Sequence, residues 1–343
     1  MIRVPNWVGD AVMAEPALRE LRRIFSEAHI TLVARPWVAG LFEGEGLADD
    51  LISVDDAKGF AQSASHFLSA ARRLRRERFD LAVLLQNALS AALLARAAGV
   101  GKTAGYPTDG RRLLLDYIVP LSPDYKTTHQ VRYYLNIAAH LEQRLKGESL
   151  VEIETAEPRL RVTEEAKEKA LRLLPVAHHP IVAINPGATN SRAKQWLAER
   201  FAETADRLTE RDGFQTIIVG AAGDMAAANE VARLMRSRAV VLAGQTSIAE
   251  LKALLASAAL VVSNDTGTAH VSAALRVPTV VVFGPTEHLS TRPLSDVATV
   301  VRHDVECSPC MLRDCPIDHR CMSRVEVNDV YRAARNLLVS RAS

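Results

Sequence analysis

The segment LVVSNDTGTAHVSAAL, residues 260–275, carries the fold in miniature. An uninterrupted apolar run ends in asparagine and aspartate, turns through threonine and glycine, and continues into small and apolar residues. Continuous apolar strands are buried on both faces, as in parallel sheets covered by helices. A polar, glycine-bearing turn between strand and helix places backbone N–H groups and a positive helix end at the strand's carboxyl end, where such sheets bind ligands.

The same unit recurs along the second half of the chain. IVAIN (181–185) runs into NPGATNSRAKQW (185–196), and TIIVG (216–220) runs into GAAGD (220–224). VVLAG (240–244) runs into GQTS (244–247), and TVVVF (279–283) follows the opening segment. Helices are expected near 195–211, 225–236 and 247–257. In the first half IRVP, ITLVA (30–34), LISV (51–54) and DLAVLLQ (80–86) read as strands, with helices near 10–26 and 61–76. The rhythm weakens around 145–180, where KGESLVEIETAEPRL and LPVAHHP flank a charged helix, TEEAKEKALRLL. The expected architecture is therefore α/β, with two Rossmann-like doubly wound parallel-sheet domains facing a cleft. Residues 1–160 form the first, 161–178 a linker, 179–325 the second, and 326–343 a C-terminal helix.

Composition agrees with two domains: 343 residues, 48% hydrophobic, exceed the size at which single cores stop growing. A formal net charge of +2 gives no global argument for nucleic acid. Arginines cluster in ARRLRRERFD (71–80) and GRR (110–112), as a solvated face or as contacts for an anionic surface. No segment reaches the ~18 apolar residues of a membrane span. Asp10 and Glu15 stand where a signal peptide would be apolar, so a cytoplasmic location is expected.

Four polar strand exits in one sheet favour a nucleotide pocket. Lys194 and the threonine hydroxyls add donors suited to a diphosphate without a metal ion. Asp265 repels phosphate, so it either accepts from sugar hydroxyls and orients donors or simply caps a helix. In PNWVGDAVM (5–13), Asp10 is likewise either a cap or a general base. GVGKT (99–103) resembles the end of a P-loop, but Arg96 stands where its first glycine belongs, and a dinucleotide fingerprint is absent.

PNWVGDAVM, NPGATNSRAKQW, SNDTGTAHVSAAL with FGP after it, and CSPCMLRDCPIDHRCM together resemble the ADP-heptose:lipopolysaccharide heptosyltransferases, over residues 1 to about 325. The resemblance implies a GT-B, inverting, metal-independent glycosyltransferase with no required cofactor. It would move L-glycero-D-manno-heptose from ADP-heptose, the sugar-nucleotide donor, to the first heptose of the lipopolysaccharide inner core. The glycolipid acceptor implies peripheral contact with the cytosolic face of the inner membrane. Position by position, Asp10 matches the catalytic base, and Lys194 with Thr189 the diphosphate contacts. Asp265, Thr266, Gly267, Thr268 and His270 match the phosphate and sugar loop. Asp224 stands where relatives often carry glutamate, toward the adenosine ribose. The first strand is shorter than in relatives, which raises an upstream start as an expectation.

Further candidates are Arg72, Arg73, Arg75, Arg76, Arg111 and Arg112 for acceptor or lipid phosphates, and an exposed His129 or Arg132 for the acceptor. Cys307, Cys310, Cys315 and Cys321 either bind a structural zinc or stay as free or redox-active thiols. The rival functions are a family member with another acceptor, a sugar-nucleotide epimerase, which would turn over donor alone, and a zinc-dependent adaptor resting on 307–321.

Overall fold

A computed structural model describes residues 1–55, 60–174, 179–189 and 191–342. The chain divides into two compact units, Met1–Pro158 and Arg159–Ser343.

The first unit is built on six parallel strands: β1 (Ile2–Arg3), β2 (Thr31–Ala34), β3 (Asp50–Ser53), β4 (Leu81–Leu84), β5 (Lys102–Gly105) and β6 (Tyr117–Ile118). Their order is β3-β2-β1-β4-β5-β6, with Ile2 opposite Leu32 on one side and Val83 on the other. Core strands such as β2 are buried at every residue, as apolar runs without alternation require. The helix expected at 10–26 is two helices, Val8–Met13 and Glu15–Ile24. Pro16 has no N–H to donate into a continuous helix, and it stands in the first turn of the second one, where none is needed. The segment that resembled a P-loop supplies β5 instead.

The second unit repeats the plan with β7 (Ile181–Asn185), β8 (Gln215–Ile218), β9 (Ala239–Val241), β10 (Leu260–Asn264), β11 (Thr279–Val282) and β12 (Ala298–Val301). Its order, β12-β11-β10-β7-β8-β9, is that of the first sheet, and all pairings are parallel. In each sheet the chain reverses direction beside its first strand, between β1 and β4 and between β7 and β10. Ligands of open α/β sheets bind at that reversal.

The stretch 161–178, expected as a linker around a charged helix, holds that helix, and its described residues fall in the second unit. Glu164–Leu173 is capped by the Thr163 hydroxyl, which accepts the Ala166 N–H at 3.2 Å. It buries Ala166 and Ala170 and packs on helix Ile248–Ala256. Residues 175–178 lie outside the described residues. Helix Val327–Ala342 closes the unit with buried Val330 and Ala334, its Tyr331 hydroxyl donating to Asp212 at 2.9 Å.

Candidate active site

In the second unit the reversal point is lined by the exits of β7 and β10. Asn264, the last residue of β10, stitches the two together. Its amide donates to the carbonyls of Pro186 and Gly187 at 2.8 and 3.2 Å, while its oxygen accepts the Trp196 N–H at 2.9 Å. Lys194, from the loop so pinned, places Nζ 2.8 Å from Oδ2 of the buried Asp265. The Thr286 hydroxyl donates to the same oxygen at 2.7 Å. Asp265 is therefore no helix cap. It gathers a lysine and a hydroxyl from two other loops.

Helix Gly267–Ala274 begins directly behind it, with Thr266 at the cap position but no side-chain cap. The Thr266 hydroxyl is engaged elsewhere: it accepts from Asn185 Nδ2 at 2.8 Å and lies 3.2 Å from Ser263 Oγ. The helix's first N–H groups thus receive no cap from Thr266, and they carry the positive end of the dipole. Thr268 and His270 are buried in this helix.

A second cluster forms at the exit of β8. Asp224 is buried, with Oδ2 accepting the Ala221 N–H at 2.9 Å and Oδ1 lying 3.5 Å from the Thr189 hydroxyl. Burial pushes its carboxyl above the usual range, against those hydrogen bonds. Two glycines make room for it. A Cβ on Gly187 would stand 2.1 Å from Asp224 Cγ, and one on Gly220 2.9 Å from its Cβ. Asn185 lies between the clusters. Its Nδ2 reaches Thr266, and its Oδ1 is buried without a hydrogen-bond partner. An added Cβ on Gly220 would lie 3.5 Å from that oxygen and 3.2 Å from Asp224 Oδ2. This is an acceptor-rich surface suited to hydroxyl donors, beside a cationic one suited to an anion.

In the first unit Asp10 is the third residue of helix Val8–Met13, whose cap position is Trp7, so Asp10 is not a cap either. It is partly exposed and near Tyr134, whose hydroxyl is pushed far up by burial first and by the Asp10 charge second. Behind it, Asn6 Oδ1 accepts from the buried Arg3 at 3.1 Å and the buried Arg35 at 3.2 Å. Burial, with the Arg35 charge second, brings Arg3 down to about 10.

Three expectations for this unit need correction. Arg111 is fully buried rather than available to phosphates. Its guanidinium donates to the carbonyls of Tyr106 and Gln86 and to Asn87 Oδ1, tying the exits of β4 and β5 together. His129 is buried, not exposed, and caps helix Gln130–Lys146 by accepting the Val131 N–H at Nδ1, 3.2 Å away. Arg132 is half-buried and pairs with Glu154 at 2.7 Å. Arg72, Arg73, Arg75, Arg76 and Arg112 are exposed as expected.

Comparison with known proteins gives these sites a context. The profile of "Glycosyltransferase family 9 (heptosyltransferase)" matches residues 67–320. The chain belongs to glycosyltransferase family 9. It is a glycosyltransferase, and its two sheets have the GT-B arrangement of secondary structure. Among relatives of this family, it is 29% identical to lipooligosaccharide heptosyltransferase 2 of Campylobacter jejuni, over 98% of this chain and 97% of that one. It is 28% identical to lipopolysaccharide heptosyltransferase 2 of Escherichia coli K12, over 87% and 86%. The solved E. coli ADP-heptose lipopolysaccharide heptosyltransferase II superposes with a TM-score of 0.83 at 26% identity, covering 100% of this chain and 99% of that one.

Within this family 9 chain, four residues of these units are not singled out as candidates by the sequence: Asn185 and Asn264, which lie inside the quoted motifs, Thr286, and Gln86, whose buried Oε1 at the exit of β4 has no hydrogen-bond partner. The asparagines end apolar strands and were visible as such. Thr286 stands too far along the chain to be linked to Asp265 without coordinates. The four cysteines are free: Cys307 and Cys310 exposed, Cys315 half-buried, Cys321 buried. Burial, helped by the three other thiols, pushes Cys321 up to about 11. Among the described residues no group of three or more histidine, cysteine or acidic side chains is placed to hold a metal ion. Among the same residues no helix is long and apolar enough to cross a membrane.

Proposed function

We propose that this chain transfers L-glycero-D-manno-heptose from ADP-heptose to the first heptose of the lipopolysaccharide inner core, with inversion at the anomeric carbon. One observation carries the donor side: Lys194, held by Asp265, stands at the reversal point of the second sheet beside a helix end that its own cap residue leaves uncapped. The names of the heptosyltransferase 2 relatives supply the sugar and the acceptor class.

In this reading the diphosphate lies against the first turn of helix Gly267–Ala274 and the Lys194 ammonium, which stabilise the charge that develops on departing ADP. Thr189 assists at the diphosphate. Thr268, His270 and the Asp265 carboxylate hold the sugar, and Asp224 takes a ribose hydroxyl. In the first unit Asp10 removes the proton from the acceptor hydroxyl as it attacks the face opposite the leaving group, a contribution of about 10²–10⁴-fold. The donor's charge is met by protein groups, so the reaction calls for no metal or other cofactor. An acceptor carried on a lipid places the enzyme at the cytosolic membrane face, where exposed Arg72, Arg73, Arg75, Arg76 and Arg112 meet phosphate.

Incubation with ADP-heptose and a series of truncated core acceptors, read by mass spectrometry, tests the assignment. A mass gain of one heptose only on the acceptor that already carries the first heptose is the expected result. Gain on a different acceptor moves the chain to another branch of the family, and conversion of donor alone overturns transfer.

A further inference from the structure

The cysteine-bearing segment 307–321 takes no part in the chemistry above, yet it grips both loops that meet at Asp265. On one side the N–H groups of Cys310 and Met311 donate to the Pro285 carbonyl at 3.0 and 2.9 Å, and Ser308 Oγ donates to the Gly284 carbonyl at 2.6 Å. Thr286, the Asp265 partner, follows immediately. On the other side the segment holds Ala193, the residue before Lys194, by both halves of its backbone. The Ala193 N–H donates to the Arg313 carbonyl at 2.9 Å, and the Ala193 carbonyl lies 2.7 Å from Nε2 of His319. A carbonyl only accepts, so the His319 ring carries its proton on Nε2.

His319 is itself fixed. Its N–H donates to Cys315 Sγ at 3.3 Å, and its carbonyl accepts from Met322 and Ser323, opening the short turn that carries buried Cys321 and Met322. Its backbone is left-handed at φ 57°, a conformation rare for side-chain-bearing residues. The rest of the link is weak: Arg192 and Asp314 pair at 2.7 Å but are both exposed.

We propose that His319 is a positioning residue of the donor site: it anchors the Ala193 carbonyl and so sets the path by which Lys194 reaches the phosphates. This inference rests on the reading of Lys194 as a diphosphate contact. Loss of one partly buried hydrogen bond corresponds to about a fivefold change in affinity.

The test is a double-mutant cycle on the full chain, with ADP as the probe and calorimetry as the readout. His319→Leu is expected to weaken ADP binding about fivefold, and His319→Gln, which keeps a donor near Nε2, to return it to within about twofold. In a Lys194→Ala background His319→Leu is expected to change affinity less than about twofold, because its effect runs through the lysine. An equal loss in both backgrounds would mean general loosening and overturn the proposal, as would unaltered affinity in the single variant. If Lys194→Ala itself leaves ADP binding intact, the donor reading fails instead. Should His319→Leu not fold, His319→Asn accepts the left-handed backbone but is too short to reach Ala193, and the same loss is expected of it.

Discussion

Lys194 Nζ stands 2.8 Å from Asp265 Oδ2, and that one oxygen also receives the Thr286 hydroxyl at 2.7 Å. The carboxylate thus fixes a cation and a hydroxyl from two loops. Side chains already ordered lose less entropy on binding, so in the proposed reading this pairing preorganises the site for the donor's anion.

Lys194→Ala is expected to weaken ADP binding by about 10–100-fold, the worth of one charge-assisted hydrogen bond. Asp265→Asn should weaken ADP-heptose more than ADP, since its acceptor oxygen faces the sugar in the proposed reading. Calorimetry with both nucleotides checks the pair; equal losses for the two would remove Asp265 from the sugar.

Asp10→Asn should lower the transfer rate by about 10²-fold or more while ADP affinity stays within about twofold of the parent. Rate is read from heptosylated product and affinity by titration. Parental turnover in this variant would take the base role away from Asp10.

Burial raises the Asp224 carboxyl, so donor affinity should fall on the acid side at a higher pH than an ordinary carboxylate, near ~3.9, would dictate. The stability term has the opposite sign. A raised group favours folding below its unfolded pKa and loses that contribution as pH rises through the raised value. Asp224→Asn should flatten the acid limb of donor affinity measured across pH, and a limb that persists would refute the assignment.

Glu142 behaves conversely. The buried carboxylate takes two hydrogen bonds from Arg23 at 2.8 Å each and the Leu150 N–H at 2.9 Å, which hold it at about 2. Its stabilisation is complete above the ordinary glutamate range, and it is lost as pH falls from there toward 2. Glu142→Gln should cost about 1–3 kcal/mol at pH 7 and progressively less in acid, as read by urea unfolding. A cost that stays constant with pH would contradict the pairing.

Chelation should leave transfer unaltered, because Lys194 and the helix end answer the donor's charge in the proposed reading. Activity that vanished after treatment with EDTA and returned with a divalent cation would require a different account of the leaving group.

The sequence displays the second unit more fully than the first, for a physical reason. IVAIN and LVVSN open on apolar runs and stop at asparagines, so strand limits and reversal point coincide with visible punctuation. β5 and β6 are short and carry lysine, threonine, glycine and tyrosine, which no periodicity marks as buried. The roles of Asp10 and Asp265 split at the helix cap, and only coordinates could show each carboxylate off that position. Arg111 lies beside another arginine in a basic run, where sequence alone favours solvent. Its burial depends on acceptors at two strand exits: the Tyr106 carbonyl close by in the chain, and Gln86 and Asn87 from the turn after β4.

The two sheets share one strand order, and every bond linking Asn185, Lys194, Asp265 and Thr286 is internal to residues 159–343. A graft that replaces residues 1–158 with those of a relative would therefore leave that wiring uncut. In the proposed reading, such an exchange could alter the acceptor while the donor stays the same.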